Sequence, residues 1–513
     1  MQNRFSTDEL KVKRGLSILF FVGVAVALPF LALKTHNPLF YVLFFALPLG
    51  AWFVSNPAAM LIALYFASYA RIVLPGLPGG LELLDFFQML VVGWGILHLS
   101  ISQKRQKKSD MPGMFIILFF LNMLLIIAVR GFGMGSLGGS QYGGKAYILL
   151  TIAFLFYFAA PQVHLKERHI RLLFWGAFIC SWIPAIVQAS MYITGGATWV
   201  VAQFFDLSSR AMVSAVELGG QTETVRWSEA YHIAQVVLMI ALIVPGIRRR
   251  RVISLGLVAL AGFLILITGF RGQLIWLGVM CFWWMIYNSE KRMATLGIFI
   301  LLGVVGWLAV LATVSYLSFP MQRALSFLPL VADRMSDPDA LMQAQKSFDF
   351  RLEVWDLAWK NIPQYLLIGR GLLMDITGWA WLQASWYGRP EFFYDFHAYH
   401  SGLYSLLIDF GLFGLVAGTG FMLAVCSRAW QSVRKYCGRR KDLLSAFYVF
   451  LTIRFSYSVI AFFLVYGSVK LNFSTIILNA VLLKIFAREL VQRQKREEEH
   501  LVPASVESER VKA

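Results

Sequence analysis

Two histidines three residues apart offer the first candidate chemistry in this sequence. His397 and His400 stand in the segment 396–402, at the end of a long polar stretch. A histidine can act as a general base near neutral pH, and a His-x-x-His pair can also form part of a metal site. Because the chain has no HExxH motif and no clear third ligand, we do not expect a metal. The structural alternative is a hydrogen-bonded histidine at the start of a helix.

An arginine supplies the second candidate chemistry. Arg271 lies between Gly269 and Gly272, where two apolar runs are joined by almost no loop. A charge in that position is unfavourable unless it faces protein or a water-filled cavity, so we expect a functional role, with a headgroup anchor as the alternative. The planar guanidinium suits bidentate binding of a phosphate or a carboxylate.

The elements that must position these residues are membrane-spanning helices. Of the 513 residues, 58% are hydrophobic and only 14% are charged, and the mean hydropathy is +0.65. Since a soluble protein has about 25% charged residues, a water-soluble enzyme is excluded. Apolar runs of the length that crosses a bilayer recur about 12 to 14 times. The sequence therefore predicts an all-α, polytopic transmembrane helical bundle of about 12–14 spans.

The charge balance follows the predicted topology. The chain has 46 Lys and Arg against 28 Asp and Glu, a formal net charge of +18. With the N-terminus in the cytoplasm, most basic residues fall in alternate segments that face the cytoplasm, as the positive-inside rule requires. Both termini are then cytoplasmic, and the first span is expected to stay in the protein rather than to be cleaved as a signal peptide. The positive charge does not indicate a nucleic-acid partner.

The opposite side of the membrane keeps a set of arginines that the positive-inside rule does not predict. We interpret the set as a surface for an anion, for which a lipid-linked pyrophosphate is suitable; the alternative for each member is an ion pair with a nearby acid. The set comprises Arg130, Arg210, Arg226, Arg271, Arg323, Arg334, Arg351, Arg370 and Arg389.

One long loop interrupts the series of spans. It is predicted over 318–400, far longer than ordinary connections. Within it, segment 347–360 has aromatic and aliphatic residues at helical spacing, which predicts an amphipathic helix on the membrane surface. The predicted parts of the chain are a cytoplasmic N-terminus (1–14), transmembrane helices (15–317), the loop (318–400), further transmembrane helices (401–487) and a charged cytoplasmic tail (488–513).

The end of this loop resembles the O-antigen ligase and O-antigen polymerase superfamily. In that family the large loop ends in a histidine, followed by a Leu-rich stretch and an acid-x-Gly-x-x-Gly ending. His400, Asp409, Gly411 and Gly414 are in register with this pattern, and Ser401 stands where the family usually has Asn. His397 has no counterpart in the motif.

Two further motifs extend the resemblance over about 250–420. The family's Arg-x-x-x-Trp helix, followed by a Pro and a Gly-x-Gly, is similar to Arg351, Trp355, Pro363, Gly369 and Gly371. The family's hairpin with Arg-Gly at its tip is similar to the segment 269–272. The first 200 residues resemble the family only as hydrophobic spans.

The resemblance implies a periplasmic glycan transfer at a bacterial inner membrane. A glycan would pass from an undecaprenyl-pyrophosphate carrier to an acceptor hydroxyl, on lipid A-core or on a growing polysaccharide, without a cofactor. His400 would be the general base, and Arg271 would bind pyrophosphate with Arg226 or Arg210 as the second cation. Arg351 would either anchor the loop helix or contact the donor phosphate, and Asp409 would be structural. The implied partners are the lipid-linked donor, a glycan or glycolipid acceptor and the bilayer. Other polysaccharide assembly proteins are further candidates.

Several alternatives stay open at this point. A polymerase of the same superfamily, which would use the growing glycan as donor, shares all these motifs, as do protein-glycosylating members. A polysaccharide or lipid transporter or flippase predicts internal repeats and midplane charges, and neither is evident in the sequence. A membrane protease ranks last, since the chain has no Gly-x-Ser-x-Gly and no HExxH.

Overall fold

The described chain is a bundle of helices. The computed structural model describes residues 56–73, 82–102, 110–133, 141–194, 204–205, 227–244, 246–247, 250–375, 390–437 and 442–501. In these ranges the β-structure is limited to two isolated bridges and one antiparallel pair, β1 Gln141–Tyr142 with β2 Met374–Asp375. The predicted all-α fold class is therefore confirmed.

The described part of the chain contains fifteen α-helices. In chain order they are α1 Pro57–Ala70, α2 Leu83–Ser102, α3 Met111–Arg130, α4 Gly144–Ala159, α5 Glu167–Ile193, α6 Ala230–Ile243, α7 Arg251–Thr268, α8 Arg271–Asn288, α9 Arg292–Thr313, α10 Phe319–Leu325, α11 Pro338–Tyr365, α12 Pro390–Asp395, α13 Gly402–Ser432, α14 Leu443–Ala461 and α15 Val469–Leu501. Short π-helical turns follow α13, at Val433–Cys437, and α14, at Phe462–Tyr466.

Six of these helices, some with the turn that follows them, are long and apolar enough to cross a membrane. They are α3, α4, α5, α9, α13 and α14, and α1, α2, α6 and α7 are shorter apolar helices. The chain is thus a multi-pass membrane protein. The total of 12–14 spans stays a prediction, because the first predicted spans lie in residues 1–55, outside the described chain.

Aspartates fix where several helices begin. The carboxylate of Asp110 accepts a hydrogen bond from the Gly113 amide at 3.0 Å at the start of α3, and Asp442 does the same for Ser445 at the start of α14. These caps satisfy amide groups that have no partner within the helix. Asp337 caps α11 in the same way, accepting from two amides.

Helix α11 is longer than the sequence predicted. A short amphipathic helix was expected at 347–360, whereas the structure shows 28 residues, Pro338–Tyr365. The Asp337 cap and the proline after it start the helix earlier than the aromatic periodicity indicated. Its buried residues, Ala340, Ala344, Val354 and Ala358, lie on one face. On that face, Val354 and Ala358 pack with Tyr399 and with Ile408 near the start of α13.

Burial separates the centre of the bundle from its edge. In the 18-residue apolar stretch of Leu443–Tyr466, which is α14 with its π-turn, 61% of the residues are buried. In that of Arg292–Tyr316, which is α9 with the turn after it, only 6% are buried. At the centre, Phe119 of α3 packs against Phe410 of α13 and stacks on Phe473 of α15, with ring centroids 4.8 and 5.1 Å apart. No residue of α9 is buried, as expected for a helix whose apolar side chains face lipid.

Helix α13 is broken near its start, and the break is filled by the segment after α11. Gly411 has φ 68° and ψ −172°, which interrupts the helical hydrogen bonds. The groups released by the break are bonded elsewhere: the Arg370 and Gly371 amides donate to the Ile408 and Asp409 carbonyls at 2.7 and 2.9 Å, and the Leu412 amide donates to Leu366. The Gly369-x-Gly371 and Asp409-x-Gly411 motifs thus lie against each other.

Glycine is required where these two segments meet. A Cβ at Gly369 would collide with the Asp409 carbonyl, and one at Gly411 would approach the Leu367 carbonyl. Neither obstacle is a flexible side chain, so a substitution must move the backbone.

We therefore expect Gly369→Ala to destabilise the protein by about 1–3 kcal/mol, the usual cost of overpacking. Gly278→Ala is the matched control, because its Cβ in α8 would meet nothing within 4 Å. Thermal unfolding of the detergent-purified variants measures both effects. Equal unfolding temperatures for the two variants would show that the segments do not meet as described.

Candidate active site

Most, but not all, of the predicted site residues lie in the part of the chain that the structure describes. Arg210 and Arg226, the predicted partners of Arg271, lie outside the described residues, and their roles stay predictions. The described ones are His400, Arg271, Arg351, Trp355, Gly369, Gly371, Asp409, Gly411 and Gly414.

His400 ends a tight turn immediately before α13. Its φ of 54° lies in the left-handed region that L-residues rarely adopt. Hydrogen bonds on both sides hold the turn: the Trp355 indole donates to the Tyr399 carbonyl at 2.8 Å, and the Ser401 hydroxyl donates to the Phe463 carbonyl at 2.9 Å. The His400 ring is half-buried, 5.7 Å from the ring of Phe393.

The other histidine of the pair, His397, lies in a fully buried polar cluster. His397 and Asp409 are both 0% exposed, and Nδ1 lies 2.8 Å from Oδ1. The same oxygen accepts from the Tyr399 hydroxyl at 2.8 Å, and Oδ2 accepts from the Ser405 hydroxyl at 3.3 Å. Asp409 therefore binds His397 and Tyr399, not His400, although it was predicted from the His400 motif.

Arg370 closes the cluster on the other side of His397. Its Nη2 donates to the Tyr394 carbonyl at 2.7 Å and lies 3.1 Å from His397 Nδ1, while Nη1 is 3.5 Å from Asp395. Since the Asp409 carboxylate can only accept, the proton of the His397–Asp409 bond belongs to Nδ1. Arg370 thus contributes positive charge, and not a hydrogen bond, to that nitrogen.

These surroundings keep His397 neutral. The Leu373 carbonyl, 3.2 Å from Nε2, favours a proton on that nitrogen, and Asp409 favours a positive charge. Burial opposes the charge more strongly, and Arg370 adds to it, so the pKa of His397 lies below its ordinary value. Burial also raises the pKa of Tyr399 well above its ordinary value, so its hydroxyl stays a donor.

Helix α11 carries two predicted site residues on one face. Trp355 holds the turn before His400 and lies beside Tyr404, with ring centroids 6.0 Å apart. Arg351 is half-buried one helical turn earlier, and residues four apart share a face of a helix. Around them Val354, Tyr399 and Ile408 form a small apolar core that joins α11 to α13.

Arg271 stands where the sequence placed it, at the tip of a hairpin. Helix α7 ends at Thr268, Gly269 has φ 70°, and α8 begins at Arg271. The Thr268 hydroxyl accepts from the Phe270 amide at 3.2 Å, which tightens the turn. Arg271 is half-buried, and no hydrogen bond or ion pair joins its side chain to another residue of the described ranges.

The neighbours of Arg271 and His400 meet on one short segment, the π-turn Phe462–Tyr466. The Gly272 carbonyl accepts from the Tyr457 hydroxyl at 2.6 Å, and a Cβ on Gly272 would lie 3.3 Å from Val465. On the His400 side, Ser401 bonds to Phe463 and Gly402 packs against the Phe462 ring. The structure therefore brings the hairpin tip and the histidine turn against the same short segment.

The family motif does not predict all of this cluster, because it has no histidine at the position of His397. Arg370 is predicted only as one of the outer arginines of the anion-binding set, although it lies between the two glycines of the Gly369-x-Gly371 motif. The spacing of His397 and Asp409, with Tyr399 between them, was the signal that could have identified the cluster.

A metal site is not evident in the described residues. His397 and Asp409 are in contact, but no group of three or more His, Cys, Asp or Glu side chains in those ranges could hold an ion. The groups available at the site are an imidazole, guanidinium groups and buried hydroxyls, which bind anions and transfer protons.

Comparison with known protein families identifies one match. Residues 253–417 match the family model described as O-antigen ligase. The match runs from α7 into α13 and includes every predicted site residue that the structure describes. It agrees with the range of about 250–420 over which the motifs resemble that family. No curated protein matches the chain.

The buried His397 predicts a loss of stability in acid. Because its pKa is lowered in the folded state, the unfolded chain binds the proton more readily once the pH falls below the ordinary value of 6.5. His397→Gln should therefore show a smaller fall in unfolding temperature than the wild type between about pH 7.5 and about pH 5.5. His164→Gln, at an exposed histidine, is the control. An unchanged pH dependence in His397→Gln would contradict the assignment of a neutral His397.

Proposed function

Since this chain belongs to the O-antigen ligase superfamily, we propose that it is a membrane glycosyltransferase that moves a glycan from an undecaprenyl-pyrophosphate carrier to an acceptor hydroxyl. The observation that carries the proposal is the convergence of the His400 turn and the Arg271 hairpin on the π-turn Phe462–Tyr466. A proton acceptor and an anion-binding group at one place are the two elements that such a transfer requires.

His400 is the better general base of the two histidines. The ring of His397 is fully enclosed, and both of its nitrogens face protein groups, so an acceptor sugar has no access to it. His400 is half-buried and lies at the end of the loop, in a turn that is fixed on both sides. We assign His397, Asp409 and Arg370 to positioning that turn.

The transfer then follows from ordinary chemistry. The acceptor oxygen forms a bond to the anomeric carbon of the donor glycan while the bond from that carbon to the pyrophosphate oxygen breaks. His400 takes the proton of the acceptor hydroxyl, and the pyrophosphate leaves with the bonding electrons. Arg271 stabilises the negative charge that grows on the leaving group, an effect that is large in a site with little water.

The surroundings of the reaction follow from the same proposal. The site would face the periplasm of a bacterial inner membrane, with both termini in the cytoplasm. The polyprenyl chain of the donor would lie along the apolar surface of the bundle. Arg226 or Arg210 would supply a second cation, and Arg351, on the face of α11 that carries Trp355, would contact the donor phosphate or anchor the helix.

We expect His400→Ala to lower the rate of glycan transfer by about a hundredfold or more, the usual contribution of a general base. Arg271→Ala should lower it by a similar factor, since one donor to a developing anion contributes about 10²–10³. Arg271→Lys should recover only part of the rate, because an ammonium cannot form the bidentate contact. The measurement is transfer from a purified undecaprenyl-pyrophosphate glycan in liposomes.

Matched controls separate these effects from a loss of folding. His164→Ala and Arg171→Ala change exposed residues of the same types and should leave the rate unchanged. All variants should elute as the same species in detergent. Full activity of both His400→Ala and Arg271→Ala would refute the mechanism.

A polymerase of the same superfamily is the second candidate, because the motifs and the site geometry suit it equally. The acceptor decides between the two. A ligase would modify lipid A-core and leave the length of the carrier-linked glycan unchanged, whereas a polymerase would lengthen that glycan without lipid A-core.

A further inference from the structure

Arg323, in the short helix α10, is a buried cation that the mechanism above does not use. Its side chain is only 7% exposed, and its Nε and Nη1 atoms are enclosed without a hydrogen-bond partner. Within the described ranges no acidic side chain, carbonyl or aromatic ring contacts the guanidinium. The remaining nitrogen, Nη2, is not among the atoms that are both enclosed and without a partner.

An arginine in such a place stays charged and needs an anion. The guanidinium does not lose its proton in proteins, and enclosing it without a partner is strongly unfavourable. Another arginine with a mostly covered side chain shows the usual solution: Arg370 bonds to the Tyr394 carbonyl and pairs with Asp395. Arg323 has no such group among the described residues, so its partner is to be sought outside them.

The position of α10 relates Arg323 to the proposed reaction. Helix α10 packs against α7 and α8, the two arms of the hairpin that ends at Arg271. Leu325 lies in a small core with Leu266 of α7 and Leu274 of α8, which flank the hairpin tip on either side. The Gln322 side chain also fixes α10, since it donates to the Leu317 carbonyl and to the Ser336 hydroxyl. The short helix that carries Arg323 is therefore fixed against the two arms of the hairpin that carries Arg271.

We propose that Arg323 is an anion-binding residue that takes a phosphate of the lipid-linked donor, together with Arg271. The inference rests on the proposed function for the identity of the donor, but the binding of phosphate can be measured without any transfer. A phosphate oxygen at Nη2 would neutralise the enclosed charge, and two cations from neighbouring elements suit the two phosphates of a pyrophosphate.

The first test is the binding of inorganic pyrophosphate to the full chain in detergent, followed by calorimetry and by the rise in unfolding temperature. Arg323→Gln and Arg323→Met should weaken binding tenfold or more. Arg171→Gln, at an exposed arginine of α5, should bind like the wild type. His400→Ala should also keep its affinity, because it removes the base and no phosphate contact.

The unfolding temperature without ligand tests independently whether Arg323 has a structural partner. Replacing an uncompensated buried charge by an apolar residue of similar length often stabilises a protein, so Arg323→Met should unfold at the same or a higher temperature than the wild type. If Arg323 instead has a structural partner, Arg323→Met will unfold at a lower temperature and pyrophosphate will protect it as it protects the wild type. That pair of results would overturn the proposal.

A second arm distinguishes the donor from ordinary phospholipid. The wild type and Arg323→Gln are compared in vesicles of phosphatidylcholine with and without phosphatidylglycerol. Stabilisation by phosphatidylglycerol that requires Arg323, without any binding of pyrophosphate, would assign the residue to lipid headgroups and overturn the donor site. Pyrophosphate binding that requires Arg323, in a protein that transfers no glycan, would retain the phosphate site and refute the proposed function alone.

Discussion

A carboxylate in the interior of a protein has to be surrounded by donors, and the organisation of this site follows from that requirement at Asp409. The carboxylate is fully enclosed in the first part of α13, where the helix offers it only the Ser405 hydroxyl. The remaining donors come from the turn before the helix, as His397 and Tyr399. Since an enclosed and unpaired carboxylate would be strongly destabilising, the turn is held against the helix, and His400 is held with it. The Ser468 hydroxyl, which donates to the His397 carbonyl at 2.8 Å, ties the start of α15 to the same turn.

The backbone around Asp409 is subject to the same constraint. A helix that breaks inside a membrane bundle releases polar groups that lipid cannot satisfy. At Gly411 these groups bond to the segment 366–371, and the Asn122 side chain donates to the Phe410 carbonyl at 2.8 Å. The polar side chains of the site therefore rest on a backbone junction that tolerates little movement. A fixed base and fixed cations suit a reaction in which charge develops on a leaving group, because they need no rearrangement at the moment of reaction.

The sequence predicts the membrane helices and the Arg271 hairpin better than the polar cluster around Asp409. The sequence predicts membrane helices well because their position depends mainly on hydrophobicity. It predicts the hairpin tip at Arg271 because glycines flank a charge between two apolar runs. Asp409 stands nine residues after His400, about 13 Å along a continuous helix, so the spacing excludes contact between the two side chains. The same spacing does not reveal the contact with His397, because a turn with two left-handed residues has no recognisable pattern in the sequence. The contact of Gly369 with Asp409 joins residues forty positions apart, and such pairing is decided by packing in three dimensions. The length of α11 was underestimated because aromatic periodicity identifies the buried face of a helix and not its cap.

The left-handed backbone of His400 sets stability against function at a single position. An L-residue in that conformation costs about 1–2 kcal/mol, and glycine would relieve the cost. His397, three residues earlier in the same turn, has φ 61° and carries the same cost. The most stable sequence for this turn would thus have glycine where the proposed base now stands. Selection of variants for thermal stability alone would therefore favour the replacement of His400, and with it the loss of the proposed general base.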